Sequence, residues 1–68
     1  MHPLQQRMIR RIKQVRTDRG LTQGALAQRA GLARGYLNRV ESGRSDPSLC
    51  TLIKLAKALK VTVAELVE

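Results

Sequence analysis

Catalytic chemistry has little to work with in these 68 residues. The one histidine, His2, stands at the N-terminus, and neither it nor the one cysteine, Cys50, falls into a Ser/His/Asp, Cys/His or metal-spaced pattern. What the chain holds in quantity is positive charge: 13 Lys and Arg against 5 Asp and Glu, a net +8. Such a balance says little about fold but much about partners, and favours polyanions: DNA, RNA or an anionic membrane. No enzyme, metal or cofactor is expected from this inventory. General RNA binding is disfavoured as well, because Tyr36 alone offers no aromatic stacking platform.

The elements that position this charge must be small. A chain of this length reads as one domain, 1–68, near the lower limit for folding on a single hydrophobic core. With no Trp or Phe, that core is built from Leu, Ile, Val, Ala and Met, and oligomerisation would supplement it. One cysteine excludes an internal disulfide and a Cys-based zinc site. There is no membrane-length apolar run and no signal-peptide pattern, so a cytoplasmic location is expected.

Periodicity predicts helices throughout. From Leu4 to about Arg19, Leu4, Met8, Ile12 and Val15 recur at helical spacing, widened by Ile9, with a basic outer face and Gly20 as a stop. This basic amphipathic helix has no Trp or Phe to anchor it in a membrane, and further helices follow that need its apolar face. Thr22 reads as the N-cap of a second helix, with Leu21 and Leu26 spaced as a hydrophobic staple. Leu26, Ala27 and Ala30 form its small inner face, and Gly31 sits where the chain must turn. A third helix runs from about Ala33 to Ser42, burying Leu37 and Val40 and stopping at Gly43. Beyond the polar loop SGRSDPS, with Asp46 or Ser48 as the cap, Leu49, Leu52, Leu55, Ala56 and Leu59 make a fourth stripe. Thr62 to Glu65 then reads as a capping box opening a short fifth helix, with Val61 and Leu66 as its staple.

The run LTQGALAQRAGLARGYLNRVESG resembles the lambda-repressor-like, Cro/cI (Xre) family of bacterial and phage regulators. Gln23, Leu26, Ala27, Gly31, Leu32, Leu37, Val40, Glu41 and Gly43 carry the match, which continues through DPSLCTLIKLAKALKVTVAELV. The resemblance implies an all-α, five-helix DNA-binding domain with a helix-turn-helix at helices 2 and 3. The second helix of that motif would enter the major groove, offering Arg34, Gly35, Asn38 and Arg39 to base edges. Arg34 and Arg39 suit guanine O6 and N7, and Asn38 suits adenine or a phosphate. Gln23, Ala33, Arg44 and Ser45 would lie at phosphates; the Tyr36 hydroxyl would do so too, or pack as an ordinary half-buried tyrosine. Arg16 and Glu41 would form an inward ion pair that orients helices more than it stabilises them. The chain departs from the family's habit at Ala33, which cannot cap, at Gly24 and Gly35 inside short helices, and at Lys60, where Gly is frequent.

Ile53, Val63 and Val67 remain once the core stripes are assigned, and relatives often dimerise through this end. With Leu66 they form the expected homodimer interface, while Cys50 reads as a small buried or half-buried hydrophobe. The resulting expectation is a sequence-specific regulator bound as a dimer to a near-palindromic operator in double-stranded DNA. The alternative is an antitoxin of the same fold, whose main partner is a toxin protein.

Overall fold

Four of the five helices stop in the same way, and these stops set the geometry of everything between them. The computed structural model describes residues 3–67; His2 and the two ends of the expected 1–68 domain lie outside them. The elements are α1 (Pro3–Asp18), α2 (Gln23–Ala30), α3 (Arg34–Glu41), α4 (Leu49–Leu59) and α5 (Val63–Val67). After α2, Gly31 takes a left-handed conformation at φ 69°, its N–H donating to Gln28 O while Leu32 N–H reaches back to Ala27 O at 2.8 Å. That paired return satisfies carbonyls at the helix end and reverses the chain within a few residues. The same pair of bonds closes α1, α3 and α4, and at the last of these the left-handed residue is Lys60, φ 59°.

Helix starts are specified just as locally. Thr22 Oγ1 accepts from Ala25 N–H at 3.0 Å, Ser48 Oγ from Thr51 N–H, and Thr62 Oγ1 from Glu65 N–H. Ser48, not Asp46, is thus the cap of α4. Ala33 occupies the capping position of α3 and makes no side-chain cap bond.

The core is a single cluster: Met8 and Ile12 from α1, Leu26, Ala27 and Ala30 from α2, Leu37 from α3, Leu52, Leu55, Ala56 and Leu59 from α4, and Leu66 from α5. α2 packs on α3 and α4, and α1 spans the other side against α3, α4 and α5. Arg11 Nε ties α1 to α5 by donating to Glu65 O at 3.0 Å.

Four expectations are corrected by this packing. Leu4 and Leu49 continue their stripes but stand in the first turns of α1 and α4, and are 56% and 67% exposed. Leu66 is 1% exposed, because it is the residue that seats α5 on the core, so it is not available to a second copy. Cys50 is exposed rather than half-buried. No helix among the described residues is long and apolar enough to cross a membrane.

Candidate nucleic-acid interface

α3 divides its residues cleanly. Leu37, Val40 and Glu41 are buried, and Arg34, Gly35, Asn38 and Arg39 lie exposed on the opposite side. Residues four apart on a helix are neighbours, so 34 with 38 and 35 with 39 make one outward strip about two turns long. The strip abuts the start of α2. A Cβ on Gly24 would lie 3.8 Å from Arg34 Cδ, so the Arg34 stem passes beside that helix.

Glu41 is the polar centre beneath this surface, 3% exposed at the end of α3. Arg16 reaches it from α1 with two bonds, Nε to Oε2 at 2.9 Å and Nη2 to Oε1 at 3.0 Å. The third nitrogen, Nη1, donates to Leu21 O at 2.8 Å, so one guanidinium braces α1, the α1–α2 turn and α3 together. Gln23 Nε2 donates to the same carboxylate at 3.1 Å, and Gln23 Oε1 accepts from Asn38 Nδ2 at 3.1 Å. Among the described residues no buried side-chain nitrogen or oxygen lacks a partner. A burial cost of several kcal/mol per unpaired ion is thereby avoided.

Gln23 is therefore placed differently from the sequence expectation. It is half-buried, with both ends of its amide bonded to other side chains, and Thr22 Oγ1 already takes the Ala25 N–H of the first α2 turn. Tyr36 is half-buried too. Its hydroxyl meets Thr51 Oγ1 at 3.1 Å rather than facing outward, and its ring lies 5.7 Å from the Arg39 guanidinium carbon. Stacked in this way, Arg39 is held against its own helix by a cation–π contact of about 0.5–1 kcal/mol. Ala33 and Arg44 are exposed and Ser45 is half-buried; the last two donate their backbone N–H groups to Arg39 O at 2.9 and 3.3 Å.

Sequence reasoning missed three of these partners. Thr51, buried on α4, shares a hydrogen bond with the Tyr36 hydroxyl and accepts one from the Ser48 hydroxyl, and so links α3 to α4. Gln23 to Glu41 and Asn38 to Gln23 join residues 18 and 15 apart in the chain, with no local signal to announce them.

Residues 12–66, which include α2 and α3, match a model of the helix-turn-helix family (HTH_3). The chain belongs to the helix-turn-helix family, among its Cro/cI-type regulators. It is 47% identical to the immunity repressor protein of Bacillus phage phi105 over 57 residues, covering 84% of this chain and 40% of the repressor. Among solved structures it resembles the restriction-modification controller protein C.AhdI from Aeromonas hydrophila, with TM-score 0.87 and 39% identity over 91% of this chain and 94% of that one. It also resembles SinR, a master regulator for biofilm formation solved in complex with DNA, with TM-score 0.84 and 35% identity over 90% of this chain and 98% of that one. The chain spans less than half the length of the phage repressor it matches.

Within this helix-turn-helix chain, apolar side chains also stand exposed on α4 and α5. Ile53 on α4 and Val67 on α5 are 39% and 42% exposed, and Val63 is half-buried beside the core. Leu4, Gln5, Met8 and Val67 line an apolar groove between the start of α1 and the end of α5.

Proposed function

We propose that this chain is a sequence-specific transcriptional regulator that binds double-stranded DNA with α3 in the major groove. The observation that carries the reading is the exposed strip of Arg34, Gly35, Asn38 and Arg39, set beside the N-terminus of α2 on a chain of net charge +8. In this reading Arg34 and Arg39 donate to guanine edges, since arginine to guanine O6 and N7 is the commonest specific contact. Ala33, Arg44, Ser45 and the first-turn amides of α2 sit at phosphates and set register. Gly35 lets the backbone of α3 approach the bases closely. Family membership and the DNA complex of SinR support the same reading.

The active species in this proposal is a homodimer on a near-palindromic operator. Ile53, Val63 and Val67 supply the apolar contact, with Leu66 removed from the set. A twofold pair would present two recognition helices to successive major grooves, roughly 34–36 Å apart. The cytoplasm is where such a regulator meets its operator.

Selection of bound duplexes from a random pool tests the proposal, because it reports sequence, symmetry and half-site spacing together. The expected product is an inverted repeat with half-sites about 10 base pairs apart centre to centre. A pool that stays random through the selection contradicts it.

A further inference from the structure

We propose that the buried Arg16–Glu41 pair fixes, through Gln23, the direction in which Asn38 presents its side-chain amide, and so makes Asn38 a reader of adenine rather than a phosphate contact. The inference rests on the DNA-binding reading above and adds a specificity-determining role to a residue that reading leaves open.

Donor and acceptor chemistry orders the chain of bonds. The Glu41 carboxylate, paired with Arg16 through both oxygens, only accepts hydrogen bonds. Gln23, 3.1 Å away, must therefore turn its NH2 group inward to Glu41 Oε1. An amide whose nitrogen points in has its oxygen pointing out, and Gln23 Oε1 can accept only. Asn38 must in turn give Nδ2 to Gln23, as it does at 3.1 Å. Each link dictates the next, from a carboxylate at 3% exposure to an amide on the exposed strip.

What Asn38 then has left is Oδ1 and one further N–H. Adenine offers its N6 amino donor and N7 acceptor in the major groove, which complement that pair. Guanine offers two acceptors at the same edge, and a phosphate offers acceptors alone, so either would face Oδ1 unfavourably. Gln23 is thus a positioning residue. Its own contacts stay within the protein, and its effect is felt at a base it does not touch.

The test compares selections from a random duplex pool by wild type, Asn38→Ala, Gln23→Ala, Arg34→Ala and Asn38→Asp, with melting curves to establish folding. Asn38→Ala should erase an adenine preference at one base pair of each half-site. Gln23→Ala should flatten that same base pair and spare the one lost in Arg34→Ala. Asn38→Asp changes an exposed position, so it still reports which base is read at residue 38 if Gln23→Ala does not fold. An acceptor-only side chain there should move the preference to cytosine, whose N4 amino group is a donor. Replacing that adenine by 7-deazaadenine in the selected duplex should weaken wild-type binding about tenfold and leave Asn38→Ala binding unchanged.

The proposal is overturned if the base pair sensitive to Asn38→Ala is not adenine, or if Asn38→Ala alters no base preference. It is equally overturned if Gln23→Ala lowers binding to all sequences alike with the adenine preference intact. Those outcomes leave sequence-specific binding standing, whereas a wild-type selection with no enriched sequence removes both.

Discussion

Arg16 and Glu41 meet through two N–H···O bonds of 2.9 and 3.0 Å, joining the last turn of α1 to the last turn of α3. The carboxylate is almost wholly enclosed, with its side chain 1% exposed against 13% for Arg16. Removing one member of such a pair strands the other, at a cost of about 3–5 kcal/mol. A domain this small holds only a few kcal/mol of net stability. Glu41→Ala is therefore expected to be largely unfolded at 25 °C. The double variant Arg16→Met/Glu41→Leu should fold, because apolar replacement of both partners is often neutral or stabilising. Thermal denaturation followed by circular dichroism decides this; a Glu41→Ala melt that overlays wild type would show the pair to be energetically idle.

At the other end of α3 the missing cap gives a prediction of opposite sign. Ala33 has the extended backbone of a cap, φ −69° and ψ 137°, without an oxygen to offer. Ala33→Ser should add about 1 kcal/mol by accepting from a first-turn N–H. For a domain of this size that is a rise in Tm of roughly 4–8 °C. An unchanged or lower Tm would mean that the α3 N-terminus has no room for the hydroxyl.

Lys60 sits in the left-handed region at φ 59°, in the position that Gly20, Gly31 and Gly43 fill after the other helices. A side chain there costs roughly 1–2 kcal/mol, partly offset by the freedom a glycine adds to the unfolded chain. Lys60→Gly should raise stability by about 1 kcal/mol, measured by urea denaturation at unchanged m-value. A loss of stability would instead assign the Lys60 side chain a contact that outweighs its backbone cost.

These caps and stops were readable in the amino-acid sequence because each is decided within a few residues: Thr22 with Ala25, Gly31 with Gln28, Thr62 with Glu65. The apolar pattern likewise placed Leu37 and Val40 inside, while the outward Arg34, Gly35, Asn38 and Arg39 followed from the family resemblance. It failed at Leu4 and Leu49, since a stripe does not report where the neighbouring helix ends. It failed again at Leu66, whose burial depends on α5 folding back onto α1 and α4. The hydrogen bonds of Gln23 and Tyr36 depend on how α3 crosses α2 and α4, and no local pattern encodes that crossing.

The dimer proposal is tested on α4. Ile53 is 39% exposed within one chain, so Ile53→Asp should leave the monomer fold almost untouched. A charge buried in the interface would nevertheless oppose pairing. Sedimentation equilibrium should show a wild-type dimer and an Ile53→Asp monomer, with operator affinity falling in parallel. Wild-type protein that stays monomeric at high micromolar concentration, with and without DNA, rules out this assembly.

The central claim is that the outer strip of α3 reads base sequence. Binding of wild type, Arg34→Ala and Arg39→Ala to a selected duplex and to a scrambled duplex of equal length tests it most directly, by fluorescence anisotropy at one fixed salt concentration. Each substitution should cost about 1–3 kcal/mol on the selected duplex and much less on the scrambled one. Equal losses on the two duplexes would contradict the claim, because they would reduce both arginines to phosphate contacts.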